Sequence, residues 1–114
     1  MLQTSSYEGF GLPVLEAMAC GCPVVATDLK VFREVIGNAG VLVGDDNPTG
    51  FGRALWALLE SRAWREELTE AGIERARGFS WDRCARQTLE VLYHAAGETA
   101  PASLHPAELH PVAA

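Results

Sequence analysis

Two short runs of β-branched and small apolar residues constrain the fold of this chain most strongly. They occupy residues 23–26 and Val41–Val43, and segments with helical spacing separate them. Apolar runs without polar alternation are typical of strands that are buried on both faces of a parallel sheet. A stub at residues 1–3 is a candidate third strand. The first half of the chain therefore predicts an α/β unit with a parallel sheet.

Two helices are predicted between and before these strands. The first is expected to begin at Leu12 or Pro13, because proline suits a first helical turn, and to end at residues 20–21, where a glycine tolerates a left-handed cap. The second is predicted over Lys30–Ile36, with Asp28 as its cap. Strands and helices thus alternate along the first half.

Three further helices are predicted from apolar residues that recur at helical spacing. A turn at residues 44–48 leads into the third helix, and Ser80 is expected to cap the fifth. Trp56 is expected to pack as well. The apolar faces comprise Phe51, Leu55, Leu58 and Leu59 in the third helix, Trp64, Leu68, Gly72 and Ala76 in the fourth, and Trp81, Ala85, Thr88, Leu89, Leu92 and Ala96 in the fifth. Residues 97–114 hold three prolines and no basic residue, which predicts a disordered tail after a body of residues 1–96.

Composition excludes several classes of protein. With 48% hydrophobic and 21% charged residues the chain is globular in composition. A net charge of -6 argues against non-specific nucleic-acid binding, because neutralising phosphates requires clustered Lys and Arg. No apolar run reaches the roughly 18 residues of a membrane span, so a cytoplasmic location is expected. Cys20, Cys22 and Cys84 are expected to be reduced thiols, and no metal site is expected.

One segment carries the chemistry: Glu8 and Glu16 lie on either side of a glycine-containing turn that opens the first helix. Gly9 and Gly11 lack a Cβ, so the backbone can bend sharply and a ligand can approach its amide groups. The amides and the positive end of the helix favour a phosphate. The two carboxylates could hold hydroxyl groups at opposite ends of one elongated ligand, or they could be a solvated turn residue and a solvated helix residue. The candidate amide donors are those of Gly9, Phe10, Gly11, Leu12, Val14 and Leu15.

This segment resembles the E-x7-E signature of retaining glycosyltransferases of family 4, which have the GT-B fold. The resemblance extends through residues 16–28, 33–37, 40–43 and 74–81 and covers nearly all of residues 3–96. It implies a partial Rossmann-like, doubly wound parallel sheet followed by C-terminal helices. It also implies a UDP- or GDP-sugar donor, with no metal or other cofactor. The implied site residues are Glu8 as the catalytic residue beside the transferred sugar, Glu16 at the ribose hydroxyls, and Gly9, Phe10, Gly11 and Leu12 at the donor sugar and phosphates.

The chain departs from this family pattern upstream of the glutamate motif. The Arg and Lys pair of the family, the first strands of its donor domain and its acceptor domain have no counterpart in the sequence. We therefore expect the carboxy-terminal, donor-binding piece of an enzyme that transfers mannose or glucose, inactive alone and marginally stable. A sugar, glycan or lipid acceptor would bind through the missing domain, and the parent could associate peripherally with a membrane. Two alternatives stay open: a non-catalytic nucleotide-sugar-binding or interaction module, and a related GT-B synthase or phosphorylase.

Overall fold

Three short parallel strands form the sheet in the computed structural model, which describes residues 1–99. They are β1 (Leu2–Gln3), β2 (Val25–Thr27) and β3 (Val41–Val43), in the order β1-β2-β3. Because both pairs are parallel, the carboxyl ends of all three strands meet at one edge of the sheet. The predicted α/β class with a parallel sheet is confirmed. The second strand begins two residues later than predicted, since Pro23 has no N–H to donate to a ladder.

Five helices accompany the sheet within the described residues. They are α1 (Leu12–Ala19), α2 (Lys30–Ile36), α3 (Pro48–Glu60), α4 (Arg62–Arg77) and α5 (Trp81–Ala95). The first four belong to a compact unit of Met1–Gly78, and α5 belongs to a second unit that begins at Phe79. The Ser80 hydroxyl accepts a hydrogen bond from the Arg83 N–H at 3.1 Å, so the predicted cap of α5 is confirmed.

The core of the first unit consists of two clusters on opposite faces of the sheet. Successive residues of a strand point to opposite faces, so Val24 and Ala26 join one cluster and Val25 the other. One face is covered by α1 and α2, with Phe32 fully buried, and the other by α3, while α4 contributes Ala76 to the first cluster and Leu68 to the second. Burial on both faces explains why the strands read as uniformly apolar runs. Burying a side chain of the size of Phe32 stabilises the fold by about 1.5–3 kcal/mol.

The apolar face of α3 is narrower than predicted. Ala54 and Leu58 face the core, with Phe51 and Leu55 packed at its margin. The prediction for Leu59 is wrong: its side chain is 71% exposed, and Trp56 is 64% exposed. Each residue of a helix is rotated by about 100° from the one before, so Leu59 turns away from the sheet that Leu58 contacts.

The predicted cap of α2 is also wrong. The helix begins at Lys30 and its N-cap is Leu29, which makes no side-chain capping bond. Asp28 lies one residue too early, and its backbone N–H donates to the Val43 carbonyl at 2.7 Å. Its carboxylate instead pairs with Arg33, with Nε–Oδ1 at 2.5 Å and Nη2–Oδ2 at 2.7 Å.

Two further expectations concern the tail of the chain and membrane-spanning helices. Residues 100–114 of the predicted tail lie outside the described residues, so a body of residues 1–96 with a disordered tail stays a prediction. Among the helices that are described, none has both the length and the apolar character that crossing a membrane requires.

Candidate functional site

Glu8 lies just after the carboxyl end of β1, where two neutral side chains hold its carboxylate. Gln3 Nε2 donates to Glu8 Oε1 at 2.9 Å, and Ser5 Oγ donates to the same oxygen at 3.0 Å. Gln3 Nε2 also donates to Ser5 Oγ at 2.7 Å. All three residues are half-buried. Within residues 1–99, Oε2 of Glu8 accepts no hydrogen bond, so one carboxylate oxygen is fixed and the other stays available.

The two glycines of the turn after Glu8 have different structural roles. Gly11 is buried, is the N-cap of α1 and has φ +89°, a left-handed conformation that favours glycine. A Cβ at this position would lie 2.6 Å from Cε1 of the buried Phe32 ring. Gly9 has no positive φ, and a Cβ there would meet nothing within 4 Å. The backbone thus requires glycine at Gly11, whereas Gly9 keeps the space above the turn open.

The turn presents backbone donors that the protein itself leaves unused. In the part of the chain that the structure describes, the N–H groups of Gly9, Gly11 and Leu12 donate no hydrogen bond. The expectation of free amides at Val14 and Leu15 is wrong, because both donate to the Gly11 carbonyl, at 3.0 and 3.3 Å. This closes the first turn of α1. The available donors therefore lie in the turn rather than beyond Pro13.

The turn is open to solvent on either side of the buried Gly11. Tyr7, directly before Glu8, is 87% exposed, and Phe10 and Leu12 are 45% and 41% exposed. Backbone donors at such a surface are satisfied by water or by a bound ligand. The arrangement therefore allows an anion to approach the start of α1 from outside.

Glu16 lies on the exposed side of α1, in its second turn. Val14 and Met18, two residues before and after it, are both buried, which directs Glu16 away from the core. No hydrogen bond joins Glu8 to Glu16 in the described region, so the two carboxylates do not form a bonded acid and base pair. Glu8 lies before the start of α1, and Glu16 lies on the exposed side of that helix.

A second carboxylate, Asp28, lies at the same edge of the sheet, at the end of β2. The hydrogen bond from Arg33 lowers the pKa of Asp28 below its ordinary value, and the positive charge adds to this, while desolvation opposes it. The same pair raises the pKa of Arg33. The positive charge of Arg33 is thus paired with Asp28.

Sequence reasoning did not identify Gln3, Ser5 or the Asp28–Arg33 pair as neighbours of the site. The available signal was a glutamine at the end of an otherwise apolar strand stub. A polar residue there indicates a side chain that needs a partner, but the partner depends on the path of the chain between Gln3 and Glu8.

Other polar groups of the first unit lie elsewhere. A surface cavity of about 520 Å³ is lined by Pro23, Arg62, Arg65, Glu66 and Thr69. Pro23 precedes β2, so this cavity is at the amino edge of the sheet, opposite Glu8. Over residues 1–99 no group of three or more His, Cys, Asp and Glu side chains is placed to hold a metal ion, and the three cysteines are free and exposed.

The sequence and the fold both match proteins of one family. Residues 1–75 match the family described as glycosyl transferases group 1. O-antigen chain mannosyltransferase B of Escherichia coli is 41% identical over 87 residues, which cover 76% of this chain and 23% of that protein. Phosphatidyl-myo-inositol mannosyltransferase of Mycobacterium leprae is 42% identical over 86 residues, covering 74% of this chain and 23% of that protein.

A solved structure agrees with these relatives. Sucrose-phosphate synthase from Thermosynechococcus elongatus superimposes with a TM-score of 0.73 at 31% identity, over 82% of this chain and 24% of that one. The chain thus spans about a quarter of the length of the proteins that it matches. The expected GT-B-type fold is confirmed. The chain belongs to the group 1 family of glycosyl transferases.

Proposed function

We propose that this chain forms the donor-binding part of a retaining glycosyltransferase of family 4, which transfers mannose or glucose from a UDP- or GDP-sugar to an acceptor hydroxyl. The observation that carries this proposal is the Glu8 carboxylate, held at the carboxyl edge of the sheet beside an open turn with unused amide donors. In α/β folds with parallel strands, ligands bind at this edge. The relatives named as mannosyltransferases support the choice of chemistry.

The donor diphosphate would lie on the N–H groups of Gly9, Gly11 and Leu12. These groups would donate to the anion at the start of α1, where the helix carries about half a positive elementary charge. Negative charge grows on the departing diphosphate during transfer, so fixed donors there stabilise the transition state. Phe10 belongs to the same turn and is proposed to contact the donor with it.

Glu8 would face the sugar carbon at which the bond breaks. That carbon becomes oxocarbenium-like in the transition state, and a carboxylate beside it stabilises the developing positive charge. Glu16, in the second turn of α1, would accept hydrogen bonds from the ribose hydroxyls. No metal ion is required in this scheme, since main-chain donors and basic groups from elsewhere in a longer protein face the diphosphate.

The rest of the proposed enzyme lies outside this chain. We propose that a further domain binds a sugar, glycan or lipid acceptor and that upstream basic residues complete the diphosphate site. On this proposal the chain alone does not catalyse transfer. The longer protein is cytoplasmic and associates peripherally with a membrane surface, and nucleic acid is not a partner.

Binding of donors to the chain tests the proposal. We expect UDP-glucose or GDP-mannose to shift the NMR amide signals of Gly9, Gly11 and Leu12 in the ¹⁵N-labelled chain, saturably and with a dissociation constant of about 1 mM or weaker, as befits half a site. Glu16→Ala should weaken this response, and Glu67→Ala, an exposed glutamate of α4, should not. Signals that do not move at the solubility limit of either donor, or that respond equally to inorganic phosphate, would contradict the proposal.

A second candidate is a GT-B synthase, which the likeness to sucrose-phosphate synthase favours. Both candidates use the same donor half and differ in the acceptor. A sugar phosphate acting as acceptor in the longer protein would favour the synthase, and a glycan or lipid acceptor would favour the mannosyltransferase type. Tight saturable donor binding by this chain alone, measured by calorimetry, would instead indicate a self-sufficient binding module.

A further inference from the structure

We propose that Gln3 and Ser5 are positioning residues that fix the Glu8 carboxylate for the hexose of the donor. We call these two residues the Glu8 clamp. This assignment rests on the proposed function, because it concerns how Glu8 meets the transferred sugar. It adds two residues that act through Glu8 and do not themselves touch the donor.

The geometry of the clamp is a closed triangle of hydrogen bonds. Gln3 Nε2 and Ser5 Oγ both donate to Oε1 of Glu8, at 2.9 and 3.0 Å, and Gln3 also donates to Ser5 at 2.7 Å. Hydrogen bonds to an ionised acceptor are stronger than neutral ones. Because both bonds end on Oε1, the carboxylate cannot rotate without breaking them, and Oε2 keeps a defined direction.

The clamp is anchored on a regular element. Gln3 is the last residue of β1, and it pairs with Ala26 of β2. The Thr27 hydroxyl, only 1% exposed, donates to the Gln3 carbonyl at 3.5 Å. Glu8 itself belongs to an open turn, where a flexible side chain would otherwise sample several rotamers. Because Gln3 belongs to the sheet, its hydrogen bond holds the Glu8 carboxylate in one position although Glu8 lies outside the sheet.

The chemistry of the clamp suits a carboxylate that must stay charged and accessible. An amide and a hydroxyl carry no net charge, so they orient Glu8 without neutralising it. Asp28, at the same edge, shows the contrast: its two oxygens are occupied by the Arg33 guanidinium. A carboxylate paired as Asp28 is paired would have little negative charge to offer a sugar, whereas Glu8 has no cationic partner within residues 1–99 and keeps one open oxygen.

The clamp should affect the hexose and not the diphosphate, and this separation can be measured. In the full 114-residue chain we would compare GDP-mannose with GDP, and UDP-glucose with UDP, by NMR titration. Gln3→Met removes the amide donor at similar length, and Ser5→Ala removes the hydroxyl. We expect each to weaken binding of the nucleotide sugar about 3- to 10-fold, the net contribution of one typical hydrogen bond, and to leave the nucleotide diphosphate unchanged.

Two controls separate positioning from a general structural effect. Ser5→Thr keeps the hydroxyl and should restore binding to within about twofold of the unsubstituted chain. Ser6→Ala, at an exposed neighbouring position, should change nothing. In a Glu8→Ala background, Gln3→Met should have no further effect on nucleotide-sugar affinity, because the group that it positions is gone.

A measurement without ligand distinguishes the possible failures. The side-chain amide protons of Gln3 should be protected from exchange in the unsubstituted chain and lose this protection in Glu8→Ala. A donor response that the clamp variants leave unchanged, or an equal loss for nucleotide sugar and diphosphate, would overturn the clamp alone. No response of the unsubstituted chain to any donor, with the Gln3 protons still protected, would overturn the proposed function and with it this role of the clamp.

Discussion

Glu8 and Asp28 are carboxylates at the same edge of the sheet, and their partners set what each can do. Neutral donors orient Glu8, while Arg33 pairs with both oxygens of Asp28. The Arg33 side chain is exposed and Asp28 is half-buried, so solvent and salt partly screen the pair. The Asp28–Arg33 pair should therefore make stability depend on pH. The hydrogen bonds to Glu8 instead fix the direction of its free oxygen, Oε2.

The Asp28 pair predicts a loss of stabilisation in acid. Arg33 lowers the pKa of Asp28 in the folded protein below its ordinary value of 3.8, so folding favours the ionised form. The stabilisation is present above the unfolded value and disappears as the pH falls through the folded one. We expect the difference in Tm between the unsubstituted chain and Asp28→Asn to be largest near neutral pH and to shrink as the pH falls below about 4. A difference that grows in acid would contradict this account, and Glu67→Gln serves as the matched control.

The turn glycines predict opposite outcomes for the same substitution. Gly11→Ala places a Cβ against the Phe32 ring in a left-handed conformation, and we expect it to lower the free energy of unfolding by about 2–4 kcal/mol. Gly9→Ala meets open space and should change it by about 0.5 kcal/mol or less. Urea unfolding of both variants checks the prediction. Equal losses would show that the glycines serve the turn alike.

At the scale of elements, local chemistry predicted most of the helices and strands. Pro13 in the first turn of α1 and the positive φ of Gly21 after it are local features, and α1 lies where these residues predicted it. Two of the features that were missed depended on contacts outside a single helix or strand. Asp28 pairs with Arg33 instead of capping a helix, and the Glu8 clamp joins residues whose separation in space follows from the chain path. Sequence patterns carry no direct record of such contacts.

Helix α3 offers a test of which face packs against the sheet. Leu58 is buried beside Val25 and Val43, and its neighbour Leu59 is exposed. We expect Leu58→Ala to destabilise the chain by about 2–4 kcal/mol through lost burial and a residual cavity. Leu59→Ala should cost about 0.5 kcal/mol or less. Chemical denaturation of the two variants measures both losses of stability. A larger loss for Leu59→Ala would show that Leu59, and not Leu58, faces the core.

At the scale of the molecule, the described sheet has only three strands, and the chain spans about a quarter of the length of its relatives. Helices cover both faces of this sheet, so its short strands are nevertheless buried. The edge strand β1 carries the Glu8 clamp, so the proposed site stands at the margin of the sheet. The proposed transfer reaction therefore has to be tested in a protein with the full length of the relatives.

A chimera with a full-length relative provides that test. We would replace the matching 87-residue segment of the Escherichia coli mannosyltransferase with the corresponding residues of this chain. If the two segments perform the same task, the chimera should retain measurable mannosyl transfer. Glu8→Gln in the chimera removes the charge beside the reacting carbon and should lower kcat by about 100-fold or more.

Control variants of the chimera distinguish a catalytic role of Glu8 from a structural one. Glu67→Gln should leave kcat unchanged. Glu16→Ala should raise KM for the donor more than it lowers kcat, because its proposed contact is with the ribose and is equally strong in substrate and transition state. A chimera that folds, as judged by its thermal melt, and binds donor but is indifferent to Glu8→Gln would show that this carboxylate has no part in transfer, since loss of its charge would then cost the transition state nothing.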